Sequence, residues 1–173
     1  MASTSEYSAI ECLRDGSTVE IRALRPDDQD DMLAAVNRTS AQSLQRRFFV
    51  PKRGFSDKEI AFFMKIDFTN HVALVAQIDE DGQHVIAGGG RYIVTQPGQA
   101  ELAFVVVDAH QGKGIAKSLM RHLLAIARDA KLKELTAEVL PENAAMLKVF
   151  SGYGFRARSG GDPQVRHLVL QLS

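Results

Sequence analysis

The sequence predicts a mixed α/β fold in which a mostly antiparallel central sheet is flanked by helices. Short turns rich in Gly, Pro and Asp separate several alternating or continuously apolar stretches, which is typical of strands joined as hairpins. Other stretches carry apolar residues at helical spacing. The predicted order is a strand, early helices and a three-strand meander, followed by a helix, a strand, a helix and two terminal strands.

Length and composition indicate one domain of ordinary size. The chain has 173 residues, of which 45% are apolar and 24% charged, a mixture that can form a hydrophobic core. Lys plus Arg equals Asp plus Glu, 21 against 21, so we expect neither nucleic acid nor a membrane as a partner. The single cysteine, Cys12, excludes an intrachain disulfide and a multi-cysteine metal site, and no histidine spacing predicts a metal site.

The first residues lack the basic and apolar segments of a secretory signal. No apolar run approaches the roughly 20 residues that are needed to cross a bilayer. We therefore expect a cytoplasmic protein. Residues 1–17 are predicted to be a polar lead-in, and residues 18–173 to form the single domain.

The first half of the domain is predicted to begin with a strand and three helices. Thr18 to Leu24 alternates apolar and polar residues, the period of a half-buried strand. Pro26 opens a helix whose first turn carries four aspartates, and acidic residues there complement the positive helix end. This favours a structural role over a metal site. Ser40 can cap a helix running to about Arg47, and Ser56 begins a capping box before the third helix.

The meander follows. His71–Asp79 and His84–Thr95 are predicted to pair as a hairpin, and a Pro97–Gly98 turn leads to the strongly apolar strand Ala100–Val107. Strands joined by such short turns pair antiparallel. Gly88–Gly90 lies inside a strand and indicates a bulge or close packing.

The second half is predicted to alternate helices and strands. A long helix with one apolar face ends near Ala130, and Glu134–Val139 forms a strand. Pro141 is predicted as the first residue of a helix that ends near Gly152. Phe155–Ala157 and Val165–Leu170 are the terminal strands.

The turn before the long helix has the chemistry of an anion site. Gly112 and Gly114 permit backbone conformations that expose N–H groups, and the start of a helix adds unpaired N–H groups and positive charge. Such a turn suits a diphosphate. It is not a Walker A loop, because Gln111 and Ala116 replace the required glycines, and Lys117 replaces the third glycine of the dinucleotide fingerprint.

Two motifs resemble the GNAT family of N-acetyltransferases, which bind acetyl-CoA. Gln111-Gly-Lys-Gly-Ile-Ala116 fits its Q/R-x-x-G-x-G/A signature, and Asn143 to Phe155 is similar to its second CoA segment. The resemblance extends from about Val19 to Phe155. A closer similarity is to the GNAT domain of bacterial protein lysine acetyltransferases that modify acyl-CoA synthetases. It is carried by Arg46–Phe49, Asp57–Glu59, Lys65–Phe68 and Ala100–Phe104.

The resemblance implies a metal-free acetyltransferase that passes acetyl directly from acetyl-CoA to an amine. The expected acceptor is the ε-amine of a protein lysine, with an acyl-CoA synthetase as candidate substrate. A small-molecule amine acetyltransferase and a non-catalytic acyl-CoA sensor remain alternatives.

The resemblance also assigns roles to residues. The N–H groups of Gly112 to Ala116 would hold the diphosphate, and the exposed edge of Phe104–Val106 would pair with pantetheine across a gap from Glu138–Leu140. A strand N–H near Val106 would receive the oxyanion. The residues expected to contact the coenzyme are Phe104, Val105, Val106, Gln111, Gly112, Lys113, Gly114, Ile115, Ala116, Lys117, Asn143 and Phe150.

Glu101 is the candidate general base. It is the lone acid of an apolar strand, and burial is expected to raise its pKa. The alternative is an edge glutamate that faces solvent or bonds to a basic side chain. Phe150 stands where many GNAT members carry a tyrosine that protonates the leaving thiolate. Phenylalanine has no proton to give, so the general acid is left unassigned.

Overall fold

The computed structural model describes residues 7–37, 57–141, 143–159 and 165–172. These residues form one eight-stranded sheet and four α-helices. The strands are β1 (Ser8–Cys12), β2 (Thr18–Ala23), β3 (His71–Glu80), β4 (Gln83–Gln96), β5 (Gln99–Val106), β6 (Glu134–Val139), β7 (Arg156–Arg158) and β8 (Arg166–Gln171). The helices are α1 (Gln29–Asn37), α2 (Asp57–Met64), α3 (Ile115–Asp129) and α4 (Ala144–Gly152), and short 3₁₀ turns span Pro26–Asp28 and Asp108–His110.

The sheet has the strand order β1-β2-β3-β4-β5-β6-β8-β7. Every neighbouring pair is antiparallel except β5 and β6, which run parallel. The long helix α3 makes the β5–β6 crossover, as parallel neighbours require. The predicted mixed, mostly antiparallel sheet with flanking helices is therefore confirmed.

Alternate residues of the central strands point into two apolar clusters, one on each face of the sheet. Val72 and Leu74 of β3 belong to the larger cluster, which also contains the apolar side of α3. Ala73 and Val75, between and beyond them, belong to the smaller cluster with Leu24 and Ala35. The period of two in a strand produces this division. Both faces of the central strands are thus covered, one by α3 and the other by the α1 side.

The glycines of β4 allow the two clusters to pack closely against the strand. A Cβ on Gly88 would lie 2.7 Å from the Val105 carbonyl oxygen, and a Cβ on Gly90 would lie 2.7 Å from the Phe104 ring. The β3–β4 register also shifts after Ala76, opposite Ala87. The interpretation of Gly88–Gly90 as a bulge or close-packing segment is confirmed.

The acidic start of the first helix has a structural role at Asp28. Its buried carboxylate accepts hydrogen bonds from Arg22 Nη1 at 2.7 Å, Arg22 Nη2 at 2.9 Å and the Arg25 N–H at 2.7 Å. Burial alone would raise the pKa of Asp28, but these hydrogen bonds outweigh it and hold the pKa below its ordinary value. The pair fastens the 3₁₀ turn to β2.

Two element predictions are wrong. Ser8–Cys12, inside the predicted lead-in, is an edge strand that pairs with β2. Ile10 there is 69% exposed, so the strand lacks the apolar face that would identify it. Pro141 precedes α4 instead of opening it, because the Asn143 Oδ1 accepts from the Met146 N–H at 3.2 Å and caps the helix. The predicted helix from Ser40 to Arg47 lies outside the described residues.

Candidate active site

A gap opens between β5 and β6. Their parallel pairing runs from Gln99 opposite Glu134 to Leu102 opposite Ala137 and stops there. From Ala103 to Val106, β5 keeps its pairing with β4 but has no strand partner on the β6 side among the described residues. The Val106 carbonyl oxygen accepts a hydrogen bond from Gln111 Nε2 at 3.1 Å. This half of β5 therefore presents a main-chain edge to the gap.

The loop after β5 leads into the start of α3. Gly112 has φ 82° and Gly114, the residue before the helix, has φ 97°. No heavy atom lies within 4 Å of a Cβ built on either glycine. Glycine adopts these positive φ values without strain, which other residues do not. The open space beside both glycines lets an anion approach the N–H groups at the helix start.

A pocket of about 180 Å³ lies over this loop and the start of α3. Val106 belongs both to its lining and to the unpaired edge of β5, so pocket and gap are continuous. The lining residues are Arg14, Val106, His110, Gln111, Gly112, Gly114, Ile115, Ala116, Lys117, Asn143, Ala145, Met146, Lys148 and Val149. These described residues combine helix-start N–H groups with basic residues, and none of them carries a carboxylate.

Glu101 lies on the opposite face of β5 from the α3 cluster. Its strand neighbours are Ile93 on β4 and Thr136 on β6, and only 4% of the residue is exposed. Leu102, the next residue, points into the α3 cluster. Because successive strand residues alternate in direction, Glu101 faces the α1 side. The alternative of a solvent-facing glutamate is thus excluded, and Glu101 does interact with other groups of the protein.

The face that carries Glu101 contains further buried polar groups. Arg91 Nη1 lies 2.9 Å from His71 Nε2, and both residues are 7% exposed. Burial, together with the charge of Arg91, lowers the pKa of His71 to about 4. Burial also lowers the pKa of Arg91 to about 10. His71 is therefore neutral near pH 7 and accepts the hydrogen bond from a charged Arg91.

The family model described as the Acetyltransferase (GNAT) family matches residues 39–155. An acetyltransferase of Pseudomonas aeruginosa is 33% identical over 147 residues, which cover 84% of this chain and 79% of that protein. The chain belongs to the GNAT family.

Solved structures agree with this membership. The GNAT domain of S. lividans PAT has a TM-score of 0.84 and 33% identity, with 95% of this chain and 97% of that chain covered. The yncA protein of Salmonella typhimurium, solved with its cofactor acetyl-CoA, shares the fold at 21% identity and a TM-score of 0.71, with 90% of this chain and 94% of that chain covered. This GNAT protein is accordingly an N-acetyltransferase.

The GNAT motif residues mostly come together as the sequence predicts. Eight of the twelve residues expected to contact the coenzyme line the pocket, and the other four do not. The eight are Val106, Gln111, Gly112, Gly114, Ile115, Ala116, Lys117 and Asn143.

The remaining four residues lie elsewhere. Phe150 is 1% exposed, and its ring packs edge-on against Phe104 at 5.7 Å and Phe155 at 4.8 Å, so its side chain belongs to the core and not to the pocket. The Phe104 side chain lies in the same core, and Val105 points to the α1 side, so only their main chains can face the gap. Lys113 Nζ lies 3.2 Å from His110 Nδ1 and 3.8 Å from Asp15 Oδ2.

Sequence reasoning missed part of this GNAT pocket. Arg14 comes from the β1–β2 turn, and that hairpin was not predicted. His110, at the end of the 3₁₀ turn after β5, also lines the pocket, and its Nε2 lies 2.8 Å from Glu80 Oε2. Ala145, Lys148 and Val149 have the i, i+3, i+4 spacing of one helix face, which could have indicated that α4 turns this face to the loop.

Other candidate chemistry finds no support in the part of the chain that the structure describes. No group of three or more His, Cys, Asp or Glu side chains there is arranged to hold a metal ion. Cys12 is exposed on β1 and is not among the pocket residues. No helix in the same part is long and apolar enough to span a membrane.

Proposed function

We propose that this protein transfers acetyl from acetyl-CoA directly to an amine, with the ε-amine of a protein lysine as the acceptor. The observation that carries the proposal is the continuity of the basic loop pocket with the gap beside Glu101's strand. Coenzyme A is anionic at one end and carries amides in the middle. Its phosphates would therefore occupy the basic pocket and its amides the gap beside β5. Its thioester would then lie beside β5.

The pocket has the groups that the diphosphate needs. The N–H groups of the loop and of the first turn of α3 would donate hydrogen bonds to its oxygens, with the positive helix end adding to the attraction. Lys117 and Lys148 line the same pocket and would contribute charge. The acetyl-CoA bound to the same fold in the Salmonella typhimurium protein supports this assignment.

The unpaired edge of β5 suits pantetheine, whose amides can hydrogen-bond as an added strand. In an antiparallel strand the N–H and C=O of one residue point to the same side. Since the Val107 N–H donates to the Ala87 carbonyl of β4, the preceding residue, Val106, directs its N–H away from β4 and towards the gap. That N–H is the donor that we assign to the oxyanion of the tetrahedral intermediate.

The amine must lose a proton before or as it attacks. A free lysine has a pKa of about 10.4, so its neutral form costs about 4 to 5 kcal/mol at pH 7. Glu101 would take this proton, directly or through a water. The nitrogen lone pair then forms the new C–N bond, the C–S bond breaks, and CoA leaves as a thiolate that gains a proton.

No side chain is assigned as the acid for that thiolate. The hydroxyl of Tyr153 donates to the Lys117 carbonyl at 3.1 Å and is not among the pocket residues. Phe150 has no proton to give. A thiol has a pKa of about 8.5 on the cysteine scale, so the thiolate can leave and take its proton from water.

The protein-lysine acceptor is supported by the 33% identity to the GNAT domain of S. lividans PAT. Labelled acetyl-CoA should be incubated with the protein and either an acyl-CoA synthetase or a panel of small amines. Label on the synthetase supports the proposal. CoA release with small amines alone would favour a small-molecule acceptor. Tight coenzyme binding with neither label nor release would favour an acyl-CoA sensor.

A further inference from the structure

The β1–β2 turn forms one wall of the coenzyme pocket, although neither GNAT motif includes it. Arg14 lies in this turn and lines the pocket with the loop glycines. Its main-chain N–H donates to the Lys113 carbonyl at 3.3 Å. The turn therefore contacts the loop between β5 and α3 directly and brings an arginine to it.

This turn is held firmly on both sides of Arg14. Leu13 is 6% exposed and packs in the main core, and its N–H donates to the Ser17 carbonyl at 2.8 Å. The Asp15 carboxylate accepts from the Ser17 N–H at 3.0 Å and lies 3.8 Å from Lys113 Nζ. A cation that is presented from a fixed turn loses less conformational freedom when a ligand binds.

Arg14 is one of three cations on three separate elements around the pocket. Lys117 comes from α3 and Lys148 from α4, and none of the described lining residues is acidic. Like charges that converge on one pocket raise its potential and favour a polyanionic ligand. Among the three side chains, only the arginine offers the planar fork that matches two phosphate oxygens at once.

We propose that Arg14 is a phosphate-recognition residue of the coenzyme site, binding either the diphosphate or the 3′-phosphate of CoA. This inference rests on the proposed function, because it requires that the pocket holds CoA. In this arrangement the β1–β2 turn and the loop between β5 and α3 contact the phosphates from two sides. The hairpin that the sequence did not reveal thus becomes part of the binding site.

Calorimetric titration of acetyl-CoA into the wild type, R14Q, R14K and R128Q tests this inference. Arg128 is exposed in the last turn of α3, at the other end of the helix from the loop, so R128Q is the matched loss of one charge. We expect R14Q to bind about tenfold to a hundredfold more weakly, as for the loss of a charge-assisted hydrogen bond. R14K should recover part of this loss, and R128Q should bind like the wild type.

Ligands that lack phosphates locate the contact. Acetyl-pantetheine should bind R14Q and the wild type equally. With dephospho-CoA, a persisting R14Q defect assigns Arg14 to the diphosphate, and a vanishing defect assigns it to the 3′-phosphate.

If the wild type binds acetyl-CoA and the affinity of R14Q is within twofold of the wild-type value, this inference alone is overturned. An equal R14Q defect with acetyl-pantetheine also overturns it, since the role would then be structural. No binding by the wild type overturns the proposed function as well.

Discussion

Two adjacent residues of β5 point to opposite faces of the sheet, one into the apolar core and the other to the side on which we propose that the chemistry takes place. Leu102 is 2% exposed and packs among the apolar residues of the α3 face. Glu101 is 4% exposed and lies on the other face, where Arg91 and His71 form a buried polar pair. Successive side chains of a strand point to opposite faces, so one strand can contribute both an apolar core residue and a buried polar residue. The difference teaches that stability and turnover should be separable along this strand.

The largest effect is expected on the apolar face. Leu102→Ala should lower the free energy of unfolding by about 2 to 5 kcal/mol, because it removes buried methyl groups and leaves a cavity. The turnover of the folded protein should stay close to that of the wild type. Chemical denaturation and steady-state kinetics on the same preparation check this. A variant of wild-type stability, or a folded variant with strongly reduced turnover, would contradict the division of roles.

Glu101→Gln makes the converse change on the polar face. Turnover should fall on the order of 10² or more, while acetyl-CoA affinity changes little, because a general base is lost and the coenzyme contacts remain. Glu134→Gln is the matched control, since Glu134 lies on the neighbouring strand and bonds Gln99, Arg158 and Gln171. Turnover of E101Q equal to the wild type would remove Glu101 from the mechanism.

The polar face should also make stability depend on pH. The pKa of His71 is lowered by burial and by Arg91 to about 4 in the folded protein, against about 6.5 when unfolded. Between these values the unfolded chain binds the extra proton, so stability is lost as pH falls from about 6.5 to 4. We expect a loss on the order of 2 to 3 kcal/mol for this residue.

Urea denaturation of the wild type and His71→Gln across this pH range isolates the contribution of His71. The difference between their unfolding free energies should shrink as the pH falls. His84→Gln is the control, because the His84 side chain is 72% exposed. A difference that stays constant with pH would contradict the assignment of a neutral, buried His71.

The smallest effect concerns the cap of α4. Asn143→Ala should lower stability by about 1 kcal/mol, because the Met146 N–H loses its acceptor. Asn143→Asp keeps an acceptor oxygen and should retain most of the stability. Thermal unfolding of the two variants measures the contrast. Equal melting temperatures for both would show that the cap contributes nothing measurable.

Segments with strong local signals were predictable from the sequence. The strand Glu134–Val139 was predicted with its observed bounds, and Gly112 and Gly114 adopt the glycine-specific backbone conformations expected of the turn before the long helix. In both cases the local pattern alone dictates the backbone. Glu101 stood out as the lone acid of an apolar strand, and the structure buries it as expected.

The missed features depend on contacts between distant segments. The edge strand Ser8–Cys12 is stabilised by pairing with β2, and its alternation exposes Ile10. Arg14 reaches the pocket only because this hairpin docks on the loop after β5, about a hundred residues later. Phe150 was placed at the coenzyme by family position, whereas its apolar ring is stabilised by the core aromatics. Such placements follow from tertiary packing, which local periodicity does not encode.

Binding of the coenzyme at the start of α3 is the central claim, and calorimetric titration of acetyl-CoA into three proteins tests it most directly. Gly114→Asp places bulk and negative charge against the diphosphate, while Gly98→Asp introduces the same side chain at φ 80° in the β4–β5 turn, at the other end of β5. We predict binding by the wild type and G98D, and none by a folded G114D. Absence of heat with the folded wild type, or undiminished binding by G114D, would contradict the account.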